Sequence, residues 1–221
     1  MQAKHMFHPL NFFIEKGHRI LFCGIVSFLL IVCNCNNKSQ QNNQKQCSND
    51  LHLAASQGNK SRIRNLIKDG AKVNQRDKDG RTPLHLAADK GYKDCITILI
   101  ESGADVNQKD NADCTPIDLF FSLTKKGSTA LHLAAEKGRA DCISALIKGG
   151  ACVAQKSDFF GLAPLHRAVL RNDVNCVTAL IKGGADVNQL DNSRATPLDL
   201  AMERKYSNCI AILQAKGGKT K

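Results

Sequence analysis

A short phrase that recurs along the chain constrains the fold more than any other feature of the sequence. A leucine opens the phrase each time, at spacings of 33, 47, 34 and 33 residues. A second phrase, LIKDGAKVNQ at residues 66–75, recurs in step with the first. A period near 33 residues indicates stacked copies of one small unit, each in contact with its neighbours only. The five opening leucines are Leu51, Leu84, Leu131, Leu165 and Leu198.

The clearest copy predicts a pair of helices. Thr82 can cap the first helix, and Pro83 suits its first turn. Leu84 and the alanines after it give this helix an apolar stripe with small residues, which permits close packing. Leu99 lies on the second helix, which we expect to end at Gly103 in a left-handed cap. Because one such pair cannot bury both of its apolar faces, we predict an all-α solenoid of stacked helix-turn-helix units with short β-turn loops.

The T-P-L-H-x-A phrase and the G-A-D-V-N ending resemble the ankyrin repeat. The resemblance covers residues 46–218, which form the predicted repeat domain. It implies a protein that binds other proteins through its loop tips and inner helices. The predicted copies are 46–77, 78–110, a truncated copy at 111–123, and then 124–156, 157–190 and 191–218.

The spacing of 47 residues predicts an incomplete copy. A Thr-Pro pair at 115–116 begins another unit, but the next full copy follows it too soon, which indicates a nineteen-residue deletion. The remnant at 117–123 is apolar (IDLFFSL), and we expect Phe120 and Phe121 to pack into the seam between the flanking copies. We expect the stack to bend or open at this point.

The amino-terminal segment 1–33 is predicted to be an export signal or anchor. Residues 20–32 are thirteen positions without a charge. The apolar part of a signal needs about 7 to 15 residues, whereas a membrane span needs about 20. The motif LIVC that ends at Cys33 resembles the lipobox of bacterial lipoproteins, which implies acylation of Cys33, with Cys35 as a second candidate. A cleaved secretory signal and an uncleaved anchor are the alternatives.

A polar segment at 34–46 separates this signal from the repeats. It contains nine Asn or Gln in thirteen residues and no aliphatic side chain, so it cannot contribute to a core. We interpret it as a tether, and we expect an exported protein anchored to a membrane. A secreted protein is the alternative.

Cysteine and histidine each recur at one position per copy. Equivalent positions in stacked units lie about 10 Å apart, too far for a disulfide or for a shared tetrahedral zinc site. We therefore predict buried thiols, and the ankyrin resemblance implies that the histidines bond loop backbone; we expect no metal and no cofactor. The residues are Cys95, Cys142, Cys176 and Cys209, and His52, His85, His132 and His166.

Composition bears on the remaining function classes. Thirty-one Lys and Arg against twenty acidic residues give a net charge of +11, but there is no Trp and only 5% of residues are aromatic. Because single-stranded nucleic acids need aromatic stacking beside cations, we expect no specific nucleic-acid partner. The sequence contains neither G-x-S-x-G nor H-E-x-x-H, so we expect no catalytic residues and no enzyme. We also expect a monomer.

The ankyrin resemblance implies which positions meet a partner. In two copies they are charged and mixed, whereas the 157–190 copy presents Phe159 and Phe160, which are typical of interface hot spots beside an Arg. The alternative is that a one-residue insertion turns both rings inward. In the same copy Arg167 replaces the usual Leu, and we expect local compensation. The predicted partner-binding residues are Lys78, Asp79, Arg81, Asp89, Lys90, Lys125, Lys126, Ser128, Glu136, Lys137, Phe159, Phe160, Leu162, Leu170 and Arg171.

The leading hypothesis from the sequence is a lipid-tethered scaffold that recognises another protein through its concave face. Two alternatives come from other classes. One is a secreted, host-directed factor with an enzymatic activity, and the other is a structural spacer at a membrane surface.

Overall fold

The computed structural model describes residues 46, 47, 49–111, 127–157 and 160–221. The secondary structure of these residues is helical. These residues form ten helices and no strand, which confirms the all-α prediction. They belong to one unit, Gln44–Lys221. The helices are α1 (49–57), α2 (Lys60–Lys68), α3 (Pro83–Lys90), α4 (Lys93–Glu101), α5 (Ala130–Glu136), α6 (Ala140–Lys148), α7 (Pro164–Leu170), α8 (Val174–Lys182), α9 (Pro197–Glu203) and α10 (Ser207–Ala215).

Each copy is a helix pair that starts and turns as the sequence predicts. Thr82 is the N-cap of α3, and its backbone N–H donates to Nδ1 of His85 at 3.1 Å. Gly91 ends α3 with φ of 88°, a conformation that a residue with a Cβ rarely adopts. Its own N–H donates back to the carbonyl of Ala87, so the turn into α4 is held by backbone hydrogen bonding.

The helix pairs stack in two layers. The first helices pack in the order α3, α5, α7 and α9, and the second helices in the order α2, α4, α6, α8 and α10. Leucines fill the space between the layers, each contributing about 1.5 to 3 kcal/mol when fully buried. The fully buried leucines are Leu51, Leu84, Leu99, Leu131, Leu146, Leu165, Leu180 and Leu213.

The stack is continuous across the spacing of 47 residues. Helix α3 packs directly on α5, and α4 packs on α6. The Asp110 N–H donates to the Ser128 carbonyl at 2.9 Å, and the Ser128 N–H donates to Asp110 Oδ1 at 2.8 Å. Asp77 and Arg81 make the same pair of bonds in the preceding loop, at 2.9 and 2.8 Å. The expectation that the stack opens here is therefore wrong, and a bend stays a prediction.

The additional residues thus enter at a loop whose closing pair keeps the normal geometry. The register makes them an insertion between two adjacent copies, because no helix pair is missing from the order in which the layers pack. The predicted packing of Phe120 and Phe121 into the seam lies outside the described residues, as does the truncated copy beyond Asn111. Among the helices that are described, none has the length and apolar character needed to cross a bilayer.

Candidate functional site

The recurring histidines join each copy to the next. Nε2 of His52 lies 3.1 Å from the Arg81 carbonyl, and Nε2 of His85 lies 3.1 Å from the Ser128 carbonyl. His132 repeats the contact with the Leu162 carbonyl at 3.0 Å. Because Nδ1 of His85 and of His132 accepts a backbone N–H, the proton sits on Nε2 and donates to these carbonyls. The predicted structural role is confirmed for His52, His85 and His132.

Burial keeps the imidazoles of His85 and His132 neutral at pH 7. It lowers the pKa of His85 to about 4, an effect that the nearby Arg76 and Arg81 increase. It lowers the pKa of His132 to about 3, with Arg167 adding to the effect. Burial also lowers the pKa of His166. Across the described ranges, no cluster of three or more His, Cys, Asp or Glu could hold a metal ion.

The cysteines that recur in the second helices are free thiols in the core, as predicted. Cys95, Cys142, Cys176 and Cys209 are all buried. Burial raises the pKa of Cys142 to about 11 and that of Cys176 to about 12. Since the thiolate is the reactive form, these residues are poor nucleophiles.

The loop of the 78–110 copy presents charge at its tip. Lys78 is exposed, while Asp79 and Arg81 are half-buried. Arg81 Nη2 lies 2.8 Å from Asp79 Oδ2, and Arg81 Nε lies 3.7 Å from Asp77 Oδ2. The predicted contact residues of this loop are therefore accessible, and the ion pairs orient the guanidinium.

The ends of α3 and α5 form a charged band. Lys137 Nζ lies 3.8 Å from Asp89 Oδ1 and 3.9 Å from Glu136 Oε1. Lys90 Nζ lies 3.7 Å from Asp89 Oδ2. The band thus crosses from one copy to the next, and all four side chains are exposed or half-buried.

Arg167 lies beneath this band, with 4% of its side chain exposed. Its Nη1 makes an ion pair of 2.6 Å with Glu136 Oε2, and its Nη2 donates to Ser128 Oγ at 3.0 Å. Arg167 is therefore compensated, as the sequence led us to expect. The role of Glu136 as its counter-ion was missed, although the two positions lie 31 residues apart, close to one repeat period.

Two predicted contact residues are corrected by the structure. Ser128 and Leu162 are buried. Their carbonyls accept hydrogen bonds from His85 and His132, and Ser128 Oγ accepts one from Arg167. Neither can meet a partner in this arrangement. Lys125, Lys126 and Phe159 lie outside the described residues, and so does the lipidation candidate Cys33.

The loop of the 157–190 copy directs Phe160 outward. The Ser157 N–H donates to the Leu162 carbonyl at 3.0 Å, a closure one residue longer than those between Asp77 and Arg81 and between Asp191 and Ala195, as the predicted insertion requires. The Phe160 side chain is 40% exposed. Its carbonyl accepts the Asn192 N–H at 3.0 Å, which ties the loop to the next one. The inward alternative is thus wrong for Phe160. At the end of the following helix Leu170 is half-buried, and the C-cap residue Arg171 is exposed.

Comparison with known proteins agrees with this architecture. A family model described as ankyrin repeats in three copies matches residues 18–110, 114–191 and 153–221. No curated protein matches the chain. Ankyrin repeats are generally modules for protein–protein interaction, and proteins built from them are typically scaffolds without enzymatic activity. The matched residues, the stacked helix pairs and the histidine bridges together show that this chain belongs to the ankyrin-repeat family.

Proposed function

We propose that this protein is a non-enzymatic scaffold that binds another protein through one face of the repeat stack. We define this binding face as the accessible residues of the loop tips and first helices in the 78–110, 124–156 and 157–190 copies. Its residues are Lys78, Asp79, Arg81, Asp89, Lys90, Glu136, Lys137, Phe160, Leu170 and Arg171.

The observation that carries the proposal is the exposure of Phe160 on a loop held by backbone hydrogen bonds. Large aromatic side chains that are exposed in the free protein are frequent anchors of protein–protein interfaces, which favours this use of Phe160. The charged band of α3 and α5 supplies a polar border. A buried framework that is repeated, together with surface side chains that differ from copy to copy, is the arrangement expected for recognition of one partner.

We propose no catalytic activity because the cysteines and histidines of the repeats are in unreactive environments. The buried thiols have raised pKa values, which disfavour the nucleophilic thiolate. Both ring nitrogens of His85 and His132 are engaged with backbone groups, so neither ring can accept a proton from a substrate. The described part of the chain therefore favours surface complementarity as the mechanism.

The proposal includes export and attachment to a membrane. The apolar residues 20–32 would direct export, Cys33 would carry the acyl chains, and residues 34–46 would separate the repeats from the bilayer. Mass spectrometry of the mature amino terminus tests this part directly. A diacylglyceryl Cys33 is the expected result, whereas a peptide that begins at Met1 would refute cleavage and acylation. An unacylated terminus after cleavage would favour the secreted alternative.

Replacement of Phe160 by Ser should weaken partner binding about 30-fold, because an anchoring aromatic residue contributes about 2 kcal/mol. Captured proteins would first be compared between the wild type and the variant. The affinity of the purified partner would then be measured by calorimetry.

The matched control is Met202→Ser, because Met202 is also a large exposed side chain, at 48%, but lies on α9 outside the binding face. It should retain wild-type affinity. Equal affinity for the Phe160→Ser variant would refute the assignment of the face. A protein with no saturable partner would favour the role of membrane-surface spacer.

A further inference from the structure

The second helix of the first copy has a charge unlike that of its counterparts. Helix α2 (KSRIRNLIK) carries four cations and no acidic residue. Helix α4 carries one Lys and two acidic residues, and α6 carries one Lys and one Asp. Helix α8 carries one Lys, and α10 carries no charge. Because these five helices occupy the same place in the repeat, the difference is specific to α2.

Three of the cations follow one side of the helix. Lys60, Arg64 and Lys68 are four residues apart, so they lie on one face and all three are exposed. Ile63 and Leu66 occupy the buried face, which packs on α4. We call the three cations the α2 basic stripe.

Neighbouring acids neutralise only part of this charge. Lys60 Nζ lies 2.8 Å from Asp94 Oδ2, and Arg62 Nη2 lies 3.4 Å from Asp50 Oδ2. Arg64 and Lys68 make no ion pair with any of the residues that the structure describes. Two like charges one turn apart repel each other, so an external anionic surface would relieve this repulsion as well as attract them.

We propose that the α2 basic stripe lies against the surface of an anionic lipid bilayer. This inference rests on the proposed membrane attachment. The thirteen residues 34–46 can span at most about 45 Å, so an anchored chain would hold the first copy near the headgroups. At an anionic leaflet each Lys or Arg near the surface strengthens binding about fivefold. Helix α2 carries no aromatic side chain for stacking bases, so it suits a lipid surface better than a single-stranded nucleic acid.

The test is binding of the full chain to vesicles at several salt concentrations. One set contains 30% phosphatidylglycerol in phosphatidylcholine, and the other contains phosphatidylcholine alone. The double variant Arg64→Glu/Lys68→Glu should bind the anionic vesicles at least about 30-fold more weakly than the wild type. The preference of the wild type for anionic vesicles should fall as NaCl rises from 0.05 to 0.5 M, since salt screens exposed charges.

The matched control is Lys148→Glu/Lys182→Glu, which makes the same change in net charge at exposed positions of α6 and α8. It should retain most of the anionic preference. An equal loss in the two double variants, or no loss in the α2 variant, would overturn the proposal. The milder Arg64→Gln/Lys68→Gln variant should show an intermediate loss, and circular dichroism checks that all variants keep their helices.

The vesicle sets also separate this inference from the proposed attachment. Binding to phosphatidylcholine alone reports the amino-terminal anchor, and the difference between the sets reports α2. If the neutral vesicles are not bound, attachment fails while the anionic preference still tests the stripe. Duplex DNA and polyglutamate serve as competitors. The choice of a bilayer would be overturned if DNA or polyglutamate bound more tightly than the anionic vesicles and if that binding required the α2 basic stripe.

Discussion

Acidification from pH 7.5 to pH 4.5 should lower the free energy of unfolding by about 5 kcal/mol. The cause is the buried histidine series. His85 and His132 have pKa values near 4 and near 3 in the folded protein, against 6.5 for an ordinary histidine. Each therefore resists protonation in the stack, where a charged ring would lose the Nδ1 acceptor and its solvation.

The direction follows from proton uptake. Above pH 6.5 the rings are neutral in both states, and their contribution to stability is fully present. Between pH 6.5 and about 4 the unfolded chain binds protons that the folded chain does not, so stability falls as the pH falls. The pKa of the capping carboxylate Asp199 is lowered from 3.8, so Asp199 titrates below this window.

Urea denaturation followed by circular dichroism at several pH values provides the measurement. The control is the double variant His85→Gln/His132→Gln, in which the Gln amide oxygen can replace the Nδ1 acceptor of the capping box. This variant should be less stable at pH 7.5 but should lose much less stability on acidification. A wild type whose stability is constant between pH 6.5 and 4.5 would show that these rings titrate normally.

Replacement of Glu136 by Ala should destabilise the protein by about 3 kcal/mol, because it leaves the buried guanidinium of Arg167 without its counter-ion. Burial already lowers the pKa of Arg167, and Glu136 opposes that effect. Arg167→Leu should change stability by less than about 1 kcal/mol, because the half-buried Glu136 keeps its contact with water and with Lys137. The other copies have leucine here, at Leu53, Leu86, Leu133 and Leu200.

The double variant Glu136→Ala/Arg167→Leu separates the loss of a charge partner from a general loss of packing. It should recover most of the stability that Glu136→Ala loses, as measured by the urea midpoint. If the double variant is as unstable as Glu136→Ala, the stranded charge is not the cause. The same would follow if Glu136→Ala changed the free energy of unfolding by less than 1 kcal/mol.

Much of the fold could be predicted because each copy of the repeat contains the residues that start and end its helices. Thr82, Pro83 and Gly91 define the ends of a helix by local chemistry, and the recurrence of that pattern gives the order of stacking. The role of the core cysteines could also be predicted, since one residue per copy at one register cannot assemble into a shared disulfide or metal site. The same spacing argued against a zinc site at the histidines, whereas their bonding to loop backbone was implied by the ankyrin resemblance.

The expectation that the stack opens at the 47-residue spacing was wrong for a physical reason. A Thr-Pro pair at 115–116 resembles the start of a copy, but local resemblance does not show whether the adjoining helices already pack on each other. The hydrogen bonds between Asp110 and Ser128 decide that question, and they join residues 18 positions apart. Contacts at this separation leave no periodic signal in the sequence.

The candidate site was predicted less well, because exposure within a loop depends on atoms from the next copy. The sequence placed Ser128 and Leu162 among variable loop positions, yet their carbonyls are bonded to imidazoles of the preceding copy. Phe160 faces outward because an additional residue lengthens its loop and Asn192 holds the backbone.

The closing pair Asp110 and Ser128 explains how a loop of the solenoid can vary in length while the helices on either side stay packed. The loop closed by Asp77 and Arg81 spans four residues, and the one closed by Asp110 and Ser128 spans 18. Closing the longer loop costs only about 1 kcal/mol more, because closure entropy grows with the logarithm of loop length. Evolution can therefore extend such a loop in small steps, and a protein engineer could graft a peptide there while the helix pairs on either side stay packed.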